Sequence, residues 1–193
     1  MAKLYFKYGV MGSSKSAQTL ITKFNYEELG MPVWLIKPSI DTRDGAGVIK
    51  SRIGLLETAQ VITPLQNIVE EYHKIGKHDV IIADESQFFT PEQIDQLREL
   101  VDEEGIPVLC FGLRTDFTTR FFPGSMRLME LADSITEIKM VCACGRKATV
   151  NARIDENGRI ITKGDQVFLG GNDSYQAMCH KCWKRKQKEQ SRQ

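Results

Sequence analysis

Two stretches of this 193-residue chain carry side chains whose types and spacing suit chemistry on phosphates. The first is Gly9, Val10, Met11, Gly12, Ser13, Ser14, Lys15 and Ser16, between a short apolar run and a helical pattern. A glycine-containing turn of this kind presents backbone N–H groups and a helix N-terminus to phosphate oxygens. Lys15 would then reach the outer phosphates, and the Ser16 hydroxyl would ligate Mg²⁺. The pattern G-x-x-x-x-G-K-[ST] is broken at Ser14, where glycine is expected, and serine adopts a positive φ only at a cost. Taken alone, the stretch also reads as a solvated strand–helix turn. The second stretch runs from Asp79 through an apolar strand to Asp84 and Glu85. An acid closing such a strand accompanies a phosphate loop and serves Mg²⁺, while Glu85 is placed to act on the attacking nucleophile. An acid at an exposed strand end is the plain alternative, but the two features in this order favour a nucleotide binder.

Four of the five cysteines form two close pairs, Cys142 with Cys144 and Cys179 with Cys182, separated by 34 residues. Two turn-borne pairs of soft ligands suit tetrahedral zinc, and four protein ligands leave no open position for catalysis. The site therefore reads as structural zinc. His180 is an alternative ligand to one cysteine, and reduced, unpaired thiols are the plain alternative to the whole site. Cys110 lies in an apolar run and reads as a buried strand residue.

The elements that must position these groups follow an α/β rhythm up to about residue 140. Strands are expected at Leu4–Tyr8, Val33–Lys37, Val80–Ala83, Ile106–Phe111 and Ser134–Val141. Ala17, Leu20, Ile21 and Phe24 fall on one helix face, with Gly30 as the stop. Further helices are expected at Leu65–Ile75 and Ser125–Ala132. Thr90, Pro91 and Gln93 spell a capping box at the start of another. The segment from Pro38 to Gly47 is polar and reads as a mobile loop. Beyond residue 140, strand-like segments at Lys147–Ile154 and Ile160–Thr162 flank a hairpin signal at Asp155 to Gly158. The basic tail reads as frayed. The expected division is a phosphate-loop α/β domain over residues 1–140 and a zinc-bearing module with its tail over 141–193.

Composition narrows the function classes. Apolar residues make up 41% and charged residues 26%, a globular balance. The 26 Lys and Arg against 25 Asp and Glu leave a net charge of +1, so nothing in the overall charge draws the chain to nucleic acid or membrane. No apolar run approaches the roughly 18 residues of a membrane span, and the N-terminus does not read as a secretory signal. A cytoplasmic protein is the expectation.

With these motifs in hand, the chain resembles the type II thymidine kinases, the phosphate-loop branch with a zinc-bearing lasso domain. The resemblance runs from Lys3 to about Trp183. It rests on the phosphate loop, Asp41 to Arg43, Asp84 to Phe89, Cys110 to Phe117, the cysteine pairs, and Val167 to Tyr175. It implies a RecA-like parallel sheet flanked by helices, with a small C-terminal zinc-bound β/lasso domain. It also implies transfer of the ATP γ-phosphoryl group to the 5′-hydroxyl of thymidine, with deoxyuridine as an accepted analogue, for nucleotide salvage. Glu85 matches the general base, and Arg43 and Gln87 join Asp84 and the loop as ATP- and phosphate-binding residues. For Arg43, a surface salt bridge to Asp41 or Asp44 is the alternative. Phe88, Phe117 and Phe122 match the wall of the base pocket, and Met11 and Leu113 match positions near the thymine methyl. Asn151 falls near the base. Val167, Phe168, Leu169, Gly170, Gly171 and Tyr175 match the lasso that holds the nucleoside largely through its backbone. Thymidine triphosphate as feedback inhibitor and a homotetramer follow by analogy alone.

Two other classes compete. A recombinase-type ATPase would use Glu85 to orient water, but would leave the Val167–Tyr175 segment without a task. A zinc-ribbon nucleic-acid binder would use the basic tail, against the near-zero net charge.

Overall fold

The computed structural model describes residues 1–167 and 174–192. In chain order its first half comprises β1 (Leu4–Tyr8), α1 (Lys15–Glu28), β2 (Val33–Pro38), β3 (Val48–Lys50), β4 (Leu56–Thr58), β5 (Gln60–Ile62), α2 (Ile68–Ile75) and β6 (Val80–Ala83). There follow α3 (Pro91–Glu103), β7 (Val108–Gly112), α4 (Pro123–Leu131), β8 (Ser134–Glu137), β9 (Val150–Arg153), β10 (Tyr175–Met178) and α5 (His180–Gln190). Six strands form one parallel sheet in the order β5-β2-β6-β7-β1-β8. The α/β expectation of a parallel sheet flanked by helices is borne out.

Strands β2, β6 and β7 are buried along their whole length, as unbroken apolar runs must be when both faces of a parallel sheet are covered. Alternation along each strand divides the core. Ile81, Ala83, Val108 and Cys110 point to the face packed by α2, α3 and α4. Val80, Ile82, Leu109 and Phe111 point to the opposite face, where Leu20 of α1 and Ile49 of the β3–β4 hairpin cover them. Cys110 is buried, as expected, and burial holds its thiol far above the usual range.

Several local expectations meet corrections. The apolar stripe on α1 is buried only at Ala17 and Leu20, whereas Ile21 is 46% and Phe24 60% exposed. Periodicity identified a shared face, but the sheet and hairpin reach only part of it. Helix α2 begins at Ile68 rather than Leu65, because the Asn67 side chain accepts the Val69 and Glu70 N–H groups and fixes the start there. At Thr90 the capping box is present with both reciprocal bonds. β8 stops at Glu137, and Ile160 contributes one bridge to Ile154 rather than a strand.

The C-terminal part pairs β9 with β10 antiparallel and packs α5 against them. The basic tail is therefore not frayed up to Gln190. Cys179 caps α5, Trp183 is buried against the β9–β10 pair, and the Gln190 side chain accepts the Ile160 N–H at 3.0 Å. These anchors outweigh the repulsion of its lysines. No helix among the described residues is long and apolar enough to cross a membrane.

Candidate active site

The phosphate loop leaves β1 at Gly9, whose N–H bonds Gly112 O at the end of β7 at 3.2 Å. A Cβ on Gly9 would lie 2.3 Å from Ser13 Oγ and 2.7 Å from Ile138 O, so only glycine lets the loop turn back on itself here. Gly12 and Ser14 both take positive φ, 82° and 63°. The serine in place of the expected glycine thus sits in the left-handed region, exposed and without a capping hydrogen bond. Ser14→Gly is expected to stabilise the fold by about 1 kcal/mol, raising Tm by a few degrees. A thermal melt with no rise would show that the Ser14 side chain offsets its own strain.

Lys15 opens α1 and is buried, its ammonium donating to Val10 O at 2.9 Å. Burial lowers its pKa; Glu85 and Asp84 oppose that, while the nearby Arg43 and Arg52 charges add to it. Asp84 follows β6 and is only 3% exposed, with Thr19 Oγ1 at 3.3 Å from Oδ1 and a hydrogen bond from Ser16. Burial, then the charge of Glu85, pushes the Asp84 carboxyl well above the usual carboxylate range. A buried carboxylate beside a hydroxyl is an all-oxygen donor set, which fits a hard divalent cation such as Mg²⁺.

Glu85 sits in the left-handed region at φ 49°, a strained backbone of the kind found at functional sites. Its Oε1 is ion-paired with Arg43 Nη2, and its Oε2 accepts Gln87 Nε2 at 2.5 Å. Arg43 also donates Nε to Asp41 Oδ1 at 2.8 Å, and Asp41 is paired with the buried Lys37 at 2.9 Å. The chain of contacts from Lys37 to Gln87 fixes the carboxylate from both sides. Arg43 thus has its salt bridge to Asp41, though partly buried and shared with Glu85 rather than at the surface. The Glu85 charge is the largest of the influences that hold its guanidinium protonated. Gln87, expected among the phosphate-binding residues, lines the neighbouring apolar pocket instead, where its Oε1 accepts the Leu113 N–H at 2.8 Å. Gly112 makes this approach possible, since a Cβ there would lie 2.6 Å from Gln87 Oε1.

Two cavities meet at this carboxylate. A wide cleft of about 1460 Å³ is lined by Gly12, Ser14, Lys15, Ser16 and, from the β3–β4 hairpin, Lys50 and Arg52. An apolar pocket of about 450 Å³ is walled by Phe88, Phe117 and Phe122, with Asn151, Val167 and Tyr175 also lining it. Met11, Arg43, Glu85 and Leu113 line both. Phe88 and Phe122 stack edge to face at 5.5 Å. Asn151 is 3% exposed and spans two elements: its Oδ1 accepts the Met11 N–H at 2.7 Å and its Nδ2 donates to Thr115 O at 2.9 Å. It therefore fixes the phosphate loop as well as edging the pocket. Phe168, Leu169, Gly170 and Gly171 lie outside the described residues.

Sequence reading passed over Asp41 as a brace, and also Arg52, Arg153 and Gln166. Arg153 lies over the Phe117 ring at 3.9 Å and donates to the Tyr175 hydroxyl at 2.8 Å. Gln166 donates to Asp116 at 2.9 Å across the pocket rim. No local motif marks these contacts, which join residues 22 to 50 positions apart.

The four cysteine sulfurs lie within 4.8 Å of one another, with Cys144 and Cys179 at 3.6 Å. Tetrahedral zinc with bonds of about 2.3 Å sets its sulfurs about 3.8 Å apart, so the cluster fits the ion. The backbone N–H groups of Cys144 and Cys179 hold the Cys142 thiol down at about 6, while hydrogen bonds that the Cys182 thiol donates to Cys144 and Cys179 push it up to about 12. Four such close sulfurs ionise together only around a cation. His180 is not among the clustered ligands.

Comparison with known proteins agrees with this geometry. The thymidine kinase family pattern matches residues 2–183. The thymidine kinase of Legionella pneumophila strain Lens is 48% identical over 189 residues, covering 96% of this chain and 90% of that protein. The thymidine kinase of Yersinia pestis is 44% identical over 187 residues, 95% of each chain. That of Vibrio parahaemolyticus is 44% identical over 187 residues, 95% of this chain and 97% of its own. Their agreement over nearly the whole length places this chain in the thymidine kinase family.

Proposed function

We propose that this protein transfers the γ-phosphoryl group of ATP to the 5′-hydroxyl of thymidine, giving thymidine monophosphate and ADP. The observation that carries the reading is the position of Glu85 and Arg43 on the shared wall of a phosphate-binding cleft and an apolar pocket. ATP lies along the loop from Gly9 to Ser16, and thymidine lies in the aromatic pocket with its 5′-hydroxyl toward Glu85. The Glu85 carboxylate accepts the hydroxyl proton as the 5′-oxygen bonds to γ-phosphorus; the bond to the β,γ-bridging oxygen breaks, and its electron pair leaves with ADP. Lys15 and the loop N–H groups stabilise the charge that spreads over the phosphoryl oxygens. Arg43, braced by Asp41, keeps a positive charge at the junction. Ser16 and Asp84 would hold Mg²⁺, which supplies charge neutralisation on the phosphate oxygens.

Residues 1–140 carry the nucleotide chemistry in this reading, and residues 141–193 complete the pocket. Cys142, Cys144, Cys179 and Cys182 hold structural zinc. Phe88, Phe117, Phe122, Met11 and Leu113 wall the base, with Val167 and Tyr175 beside them. A cytoplasmic homotetramer is carried over from the family resemblance; the exposed Ile21 and Phe24 on α1 support a face that meets another copy. Thymidine triphosphate is expected to inhibit by occupying the thymidine pocket, and inhibition kinetics that are not competitive with thymidine would remove that expectation.

The test is a nucleoside panel with ATP and Mg²⁺. Monophosphate from thymidine and deoxyuridine alone is the expected result. Equal product from deoxycytidine or deoxyguanosine would overturn the assigned pocket, and ADP release without nucleotide product would favour the ATPase reading.

A further inference from the structure

We propose that Arg52, at the tip of the β3–β4 hairpin, is a further catalytic residue: its guanidinium contacts the transferring phosphoryl group of ATP. The inference rests on the kinase reading above and extends it to a residue outside the phosphate loop and outside the Asp41–Arg43 segment.

Arg52 lines the same cleft as Lys15, Ser16 and Arg43, and reaches it from the hairpin rather than from the loop. A Cβ built on Gly12 would lie 3.7 Å from Arg52 Nη1, so the guanidinium stands over the phosphate-loop backbone at ordinary contact distance. A phosphate seated on that loop lies within reach of the Arg52 guanidinium.

A residue that reaches phosphate from a floppy loop gains little, because ordering it costs entropy on each turnover. This hairpin is pinned. Ile49 is buried in the α1-side core, and the buried Lys37 ammonium donates to Val48 O at 2.8 Å. Ser51 closes the tip twice: its N–H bonds Leu55 O at 2.8 Å and its Oγ accepts the Leu55 N–H at 2.9 Å. Glu57 of β4 pairs with Lys23 of α1 at 3.3 Å. Arg52 is therefore an exposed side chain on a held backbone, so an incoming nucleotide meets it without the hairpin having to be ordered.

Arg43 commits Nε to Asp41 and Nη2 to Glu85. Phosphoryl transfer spreads charge over three equatorial oxygens, and a planar guanidinium fork matches two of them at once. Lys15 is a single ammonium approaching from the loop side. A second arginine from the hairpin side completes the enclosure of the γ-phosphoryl group. The step itself is unchanged: the 5′-oxygen–phosphorus bond forms, the bridging bond breaks and Glu85 takes the proton, while Arg52 exchanges no atoms.

The experiment compares the parent enzyme with Arg52→Ala and Arg52→Lys in steady-state kinetics. Binding of ADP and of the non-reacting β,γ-imido analogue of ATP is measured by calorimetry. Arg52→Ala is expected to lower kcat about 100-fold or more, with thymidine KM held within threefold. Affinity for the imido analogue is expected to fall about tenfold while ADP affinity stays within threefold, and Arg52→Lys is expected to fall between parent and Ala in kcat. A kcat within threefold of the parent in Arg52→Ala overturns the assignment. So does an equal loss of ADP and imido-analogue affinity with kcat retained at saturation, which is the signature of a general charge effect. If the parent enzyme itself makes no thymidine monophosphate, the kinase reading fails first and takes this assignment with it.

Discussion

Glu85→Gln is expected to lower kcat by about three orders of magnitude while thymidine and ATP KM change only a few-fold. Glutamine keeps the size of the side chain and a hydrogen-bonding end, so the Gln87 contact at Oε2 has a replacement, but the group no longer accepts a proton from the nucleophile. The ion pair with Arg43 is lost as well, and among the described residues Arg43 keeps Asp41 as its charged partner. A released Arg43 remains near the phosphates and tends to hold or strengthen ATP binding. The variant thus separates chemistry from binding. Steady-state kinetics that show kcat within tenfold of the parent would take Glu85 out of the proton transfer.

The second large effect is expected from Cys179→Ser. Cys179 is a candidate zinc ligand and also the cap of α5, and it packs in the cluster that contains Val150, Met178 and Trp183. A structural zinc site supplies on the order of 10 kcal/mol to the folding of a small module, so losing one ligand strips the metal and loosens the module. Elemental analysis is expected to fall from one zinc per chain toward none. Thymidine KM is expected to rise more than tenfold, because β9, β10 and Val167 line or support the apolar pocket. ATP KM is expected to rise too, by less. Val10 of the phosphate loop belongs to the same apolar cluster, and the Met11 N–H is held by Asn151 of β9. One zinc per chain in the variant would contradict the ligand assignment, and an unchanged thymidine KM would contradict the link to the pocket.

That coupling marks where sequence reading stops. The phosphate loop, the acid pair after β6 and the capping box at Thr90 are local patterns, set within a few residues: the loop joins β1 to α1, the acids follow β6, and the capping box forms. Ser14 was legible as a strained position because the chemistry of a positive φ is known at that step of the motif. The Asn151 tie to Met11 was not, since it spans 140 positions and uses an ordinary residue type. Arg52 was missed for a different reason: its hairpin has three-residue strands that carry too few residues to show a period. The exposed half of the α1 stripe teaches the complementary point. Spacing tells which residues share a face and says nothing of whether a partner covers it. In the tail, charge suggested fraying, whereas one buried tryptophan and a cysteine cap decided the outcome.

The account turns on the passage of a phosphoryl group across the wall that Glu85 and Arg43 share. The most direct measurement is ³¹P NMR of the reaction with thymidine, Mg²⁺ and ATP carrying ¹⁸O in its γ-phosphoryl group. The predicted result is thymidine 5′-monophosphate that retains the three labelled oxygens of the transferred group, formed one for one with ADP. Label recovered in inorganic phosphate, with thymidine unchanged, would contradict the account and leave water as the nucleophile that Glu85 serves.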